Sequence, residues 1–128
     1  IDNPKWWTIN KRISFGGRMS IFYFHNYLLM VINVQKYIST TYNIPLNLLK
    51  GKTTIKDNKQ YKLYNLSILL CWLLHPTQRY GSKSLIARMH CCNKNRVYRL
   101  YNLYNKNDSF KSFVDKAKEN YKVSYASN

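Results

Sequence analysis

Acidic side chains are scarce. Five Asp and Glu stand against 21 Lys and Arg in 128 residues, a formal charge of +16. The five (Asp2, Asp57, Asp108, Asp115 and Glu119) are scattered, so a hydrolase built on paired carboxylates is not expected. Cysteine is sparse too. Cys71, Cys91 and Cys92 are odd in number and two are adjacent, which excludes a disulfide framework and makes a reducing compartment the default. Long apolar runs are missing. The most apolar stretch, Met19 to Val34, contains His25, Asn26 and Asn33, and is too short and too polar for a membrane span. The first residues, with Asp2, Pro4 and Lys5, do not read as a basic then apolar leader. Internal repeats and low-complexity linkers are absent.

What is present is a core. Hydrophobic residues make up 45% of the chain and aromatics 16%, with 12 tyrosines. A disordered basic tail would lack these side chains, so one packed domain, or one domain plus an arm, is expected. The positive excess then needs a polyanion: nucleic acid first, an anionic membrane surface second. Lys, Asn, Tyr and Ile are abundant, and all have A/T-rich codons. That composition points to an A/T-rich genome (phage, organelle or low-GC bacterium), and part of the Lys excess is then compositional drift.

Along the chain, residues 1–18 read as an irregular basic, aromatic arm, with Trp6-Trp7 as packing anchors and Phe15-Gly16-Gly17-Arg18 as a hinge. Residues 19–128 read as a single helical domain. A long helix is expected from Met19 to about Tyr42, with Ile21, Leu28, Leu29, Ile32 and Ile38 among its apolar positions. Asn43-Ile44-Pro45 ends it. A short helix follows and stops at Lys50-Gly51, with Gly as its C-cap. Lys50 to Gln60 reads as a basic loop. Tyr61 to Leu74 reads as a helix whose apolar face is Leu63, Leu66, Leu70, Leu73 and Leu74. His75-Pro76 ends that helix, and 77–82 form a turn. Two short helices follow, Lys83 to Met89 and Asn93 to Asn105. Asn107-Asp108-Ser109 caps a last helix, with Phe110, Phe113, Val114, Ala117 and Tyr121 on one face. After residue 42 no stretch alternates with period two. The expected fold is all-α, with five to six helices.

The sharpest local signal is KSLIARMHCCNKNRVYRLYN, residues 83–102, which reads as a helix-turn-helix. Ala87 supplies the small residue where the helices cross. Ile86, His90, Cys92, Val97 and Leu100 fall on inward positions. Asn93 caps the second helix and leaves Lys94, Asn95, Arg96 and Arg99 exposed. Arg reads guanine, Asn reads adenine and Lys neutralises phosphate. Cys91 occupies the turn position usually given to Gly, at a cost if its φ is positive. Tyr98, Tyr101 and Tyr104 lie three apart. They serve either base stacking or helix packing, and Tyr101 and Tyr104 read as packing. His90, Cys91, Cys92, Cys71 and His75 lack metal-ligand spacing, so no metal and no other cofactor is expected. A Cys/His nucleophile lacks an orienting acid, so the chain reads as non-enzymatic, without a small-molecule substrate.

From about Val34 to Tyr121 the order of segments resembles the C-terminal DNA-binding domain of the bacterial replication initiator DnaA. The segments that carry the resemblance are VQKYISTTYNIPLNLLKGK (34–52), the basic loop and apolar helix from Lys56 to Leu74, the helix pair 83–102, and NDSFKSFVDKAKENY (107–121). The family's Gly-Gly-Arg-Asp-His-Thr-Thr-Val signature is replaced by CCNKNRVY, Cys91 to Tyr98, and the Arg residues of its basic loop by Lys50, Lys52, Lys56 and Lys59. No Gly-rich loop ending in Gly-Lys-Ser/Thr is present. The resemblance implies a Trp-repressor-like helical module without the ATPase domain, binding double-stranded DNA. It implies phosphate contacts from Lys50, Lys52, Lys56, Lys59 and Arg79, with Lys83, Arg88, Lys94, Asn95, Arg96 and Arg99 at the helix pair. On this reading Arg96→Ala relaxes sequence preference. The setting would be cytoplasmic or nucleoid-associated, in replication or transcription, encoded by a phage or mobile element.

Two other readings fit the same charge. One is a divergent organellar ribosomal or other structural RNA-binding protein, using Lys5, Lys11, Arg12 and Arg18 of the arm on rRNA. The other is a phage virion or host-interaction protein. Charge placement favours the first reading. Lys50 to Lys62 carries five lysines and one Asp (5 − 1 = +4), and Arg79 to Arg99 carries six cations and no acid (+6), so these segments hold +10 of the +16.

Overall fold

The computed structural model of the chain describes residues 21–74 and 82–126. The expected arm (1–18), the start of the first helix at Met19, His75, and all of the expected 77–82 turn except Ser82, Arg79 included, lie outside the described residues; Ser82 opens α4. Six helices run α1 (Ile21–Tyr42), α2 (Leu46–Leu49), α3 (Asn58–Leu74), α4 (Ser82–Met89), α5 (Lys94–Lys106) and α6 (Asp108–Ala126). No strand occurs among the described residues. The protein is all-α.

Helix α3 is the axis of the molecule and packs against each of the other five. Every residue from Leu63 to Trp72 is buried. One apolar face was expected here. A helix enclosed on all sides needs apolar or small polar residues all round, and Ile68, Leu69 and Cys71 supply that second side at 0% exposure. Helix α1 lies along α3 and turns inward the stripe Tyr27, Val31, Val34, Gln35 and Ile38. That stripe differs from the expected one: Leu29 is 58% exposed and Ile32 is half-buried. The expected apolar face of α6 is the observed one, with Val114, Ala117 and Tyr121 buried and Phe110 and Phe113 half-buried. Tyr121 meets Tyr37 of α1 edge-on at 5.3 Å.

The helix ends are specified by local sequence. Asp57 Oδ1 accepts from the Gln60 amide at 2.8 Å, and Gln60 Oε1 accepts from the Lys56 amide. These reciprocal bonds start α3 three residues earlier than its apolar pattern begins, so Lys59 belongs to the first helical turn rather than the loop. Asn107 Oδ1 accepts from the Phe110 amide at 2.9 Å and starts α6. Three helices end in the same way, with a left-handed residue after the last turn: Asn43 (φ 55), Gly51 (φ 74) and Cys91 (φ 52). The following amide reaches back to the carbonyl five residues earlier, Ile44 to Ser39, Lys52 to Asn47 and Cys92 to Ala87. This is the Schellman arrangement. The left-handed geometry at Cys91 costs about 1 kcal/mol for a residue with a Cβ.

Candidate nucleic-acid interface

Helices α4 and α5 are joined by residues 90–93. Ala87 and Ile86 are buried between them, as are Val97 and Leu100. Asn93 has extended backbone, and its side chain accepts from the Asn95 amide at 2.8 Å, capping α5. This cap starts α5, in whose first turn Lys94 and Asn95 are exposed; Arg99 is exposed in the second turn.

His90 fastens the turn to the core. It is fully buried. Its Nδ1 lies 2.8 Å from the Ile86 carbonyl oxygen and its Nε2 2.8 Å from Ser67 Oγ. A carbonyl only accepts, so Nδ1 carries the proton and Nε2 accepts from the Ser67 hydroxyl. The Tyr64 hydroxyl donates to the His90 carbonyl. On the other side, Gln35 Nε2 donates to the carbonyls of Met89 at 3.1 Å and Leu49 at 3.4 Å, tying α1 to the ends of α4 and α2.

Burial holds the His90 imidazole neutral, lowering its pKa from the ordinary 6.5 to about 4, against a smaller opposing pull from the Ile86 carbonyl. Between those values the unfolded chain binds a proton that the native chain refuses. His90 therefore contributes its full stability above pH 6.5, and that contribution is lost as pH falls toward 4. The difference amounts to about 3 kcal/mol. Urea unfolding at pH 7 and pH 4.5 checks this, with His90→Gln expected to lose most of the slope. An unchanged slope in the variant would refute the assignment.

Arg96 is half-buried. Its Nη1 donates to Asn65 Oδ1 at 3.0 Å and to Tyr61 Oη at 3.1 Å, and its guanidinium lies 5.5 Å and 5.6 Å from the Tyr61 and Tyr64 ring centroids. That hydrogen bond, with the adjacent charge, lowers the Tyr61 pKa. Arg96 and Arg99 edge an open recess of about 380 Å³ between α5, the α4–α5 turn and the 51–55 segment. Leu48, Ile55 and Tyr64 are among the residues that line it. Gly51 sits against the turn, where a Cβ would lie 2.4 Å from the His90 carbonyl oxygen and 2.7 Å from the Cys91 Cβ.

The remaining expected positions divide. Lys52, Lys56 and Lys59 are exposed, as is Arg88. Lys50 is half-buried at the C-cap of α2. Lys83 is also half-buried, its ammonium 4.3 Å from the Trp72 ring centroid and 4.0 Å from that of Tyr98. Tyr98 itself is 51% exposed, and Tyr104 is buried, with its hydroxyl donating to Asp115. Tyr101 stacks on Tyr104 and meets Trp72 edge-on. Tyr61, Asn65, Thr53 and Ser67 were not singled out from the sequence. The available signal was the polar pair Asn65 and Ser67 interrupting the apolar run of α3, each now seen to hold a side chain of the helix pair.

Among the described residues, no three His, Cys, Asp or Glu side chains gather to hold a metal ion, and no helix is long and apolar enough to cross a membrane. Compared with known proteins, the chain matches no family model, no curated protein and no solved structure.

Proposed function

We propose that the protein is a small, non-enzymatic DNA-binding module that uses α4 and α5 as a helix-turn-helix, in a fold of the kind found at the C-terminus of DnaA. The observation that carries this reading is the outward first turn of α5. Asn93 caps it, Lys94 and Asn95 are exposed along it, Arg99 is exposed in the next turn, and the exposed Lys52, Lys56 and Lys59 lie on the segment that runs from α2 into α3. The N-terminal part of a recognition helix is where base edges are read, and lysines beside it neutralise phosphates. Arg96, braced through its Nη1 by Tyr61 and Asn65, stands one residue after Asn95.

Selection from a randomised duplex pool, with total RNA as competitor at near-physiological salt, tests the reading. Recovery of a duplex consensus is expected. Enrichment of structured RNA without a duplex consensus would overturn it in favour of the ribosomal alternative. Within the reading, Asn95→Ala should relax preference at one base position by about 1–3 kcal/mol. Lys56→Ala should weaken every duplex alike and lower the salt slope by about one. Equal loss on all sequences for Asn95→Ala would remove it from the base-reading set.

A further inference from the structure

The recess beside Arg96 and Arg99 has a composition that phosphate neutralisation on an open surface does not require. No carboxylate lines it. Arg96 is held by two neutral acceptors, the Tyr61 hydroxyl and the Asn65 carbonyl oxygen, which fix the guanidinium while leaving its charge uncompensated. Arg99 follows one helical turn later and edges the same space, so the two cations meet on one face of α5. Such a pair favours an anion with several acceptor oxygens. The rest of the lining is mixed. Leu48, Ile55 and Tyr64 add apolar side chains, of which Ile55 is the most exposed, and Thr53 and Asn93 add polar ones. The recess is open, and its roughly 380 Å³ exceeds what a bare phosphate would occupy.

We propose that this recess seats a nucleoside monophosphate unit, with its phosphate on Arg96 and Arg99 and its planar ring against Ile55 and the other apolar lining side chains. The shared chemistry has two sources: a free mononucleotide, or a nucleotide of a nucleic-acid strand that lies over the face. The seat shares Arg96 and Arg99 with the face proposed to meet duplex DNA, but binding of a free mononucleotide is measured with no duplex present.

The test titrates the full chain with AMP, adenosine and inorganic phosphate, following backbone amide shifts by NMR. AMP should bind saturably and move the amides of Gly51, Thr53, Cys91 and Asn93. Adenosine and phosphate should each bind at least about tenfold more weakly, because one half of the site is then unused. Arg99→Ala should weaken AMP by about tenfold, the scale of one charge-assisted hydrogen bond. Thr53→Trp, which fills the mouth, should do the same with the melting temperature of the parent chain. Lys116→Ala, exposed on α6, should leave AMP binding unchanged and controls for general attraction to the +16 chain. Adding a single-stranded oligonucleotide to the AMP-loaded protein, beside an abasic strand of equal length, separates the sources. Displacement by the base-bearing strand but not by the abasic one assigns the seat to a strand nucleotide, and simultaneous binding assigns it to a free one. Non-saturating shifts spread over the basic surface, equal loss in Lys116→Ala and Arg99→Ala, or phosphate binding as tightly as AMP would overturn the proposal. Failure of the duplex selection alone would leave AMP saturation standing, so the two readings fail separately.

Discussion

Raising sodium chloride from about 50 to about 200 mM should weaken duplex binding by roughly three to four orders of magnitude. Lys52, Lys56, Lys59, Lys94 and Arg99 are exposed, and Arg88 is exposed at the end of α4. With Arg96 at the recess edge these are seven cations, enough for about six or seven phosphate contacts, each releasing close to one counterion. The slope of log K against log salt is then about −5 to −7. Filter binding or fluorescence anisotropy across that salt range measures it. A slope shallower than about −3 would mean that fewer than four phosphates are engaged, which is incompatible with a face of this composition gripping a duplex.

The second large effect is expected at Gly51, far in sequence from the helix pair but in contact with its turn. Gly51 closes α2 in the left-handed region at φ 74, where any residue with a Cβ is strained by about 1–2 kcal/mol. The new Cβ would also stand 2.4 Å from the His90 carbonyl oxygen and 2.7 Å from the Cys91 Cβ. Neither of these atoms can give way cheaply. The His90 carbonyl accepts from Tyr64, and Cys91 is itself left-handed with its amide bonded to the Arg88 carbonyl. Relief therefore requires moving the α2 end away from the α4–α5 turn. Gly51→Ala should destabilise the chain by about 3 kcal/mol or more, beyond the usual effect of a surface substitution. Urea denaturation checks this, beside Lys52→Ala as a neighbouring exposed control. A loss under about 1 kcal/mol would mean that the two segments are not packed this closely.

Both expectations use features of different legibility. Several helix ends were open to reading because capping is local chemistry, although α3 starts three residues earlier than its apolar pattern predicts. Asn93, Asn107 and Gly51 act through bonds to residues two to four positions away. The α6 face was legible because only one side of that helix is buried, so its period survives in the sequence. The faces of α1 and α3 were less so. Helix α3 is enclosed on all sides, which erases the one-sided period. In α1 the position of Gln35 inside the buried stripe, donating to two carbonyls from other helices, has no one-dimensional signature.

The sequence by itself determined an all-helical chain with a packed core, the segmentation into its helices and the concentration of charge on two segments. These follow from composition, period and caps, which act over a few residues. Only the tertiary structure decided that α3 is the axis, that Ser67 and Tyr64 hold His90 and its turn, and that Tyr61 and Asn65 brace Arg96 from 35 and 31 residues away. It also decided that Arg96 and Arg99 share a recess with the 51–55 segment. These are contacts between side chains distant along the chain. Their partners are chosen by how whole helices pack, and packing geometry depends on the shape of every buried side chain at once.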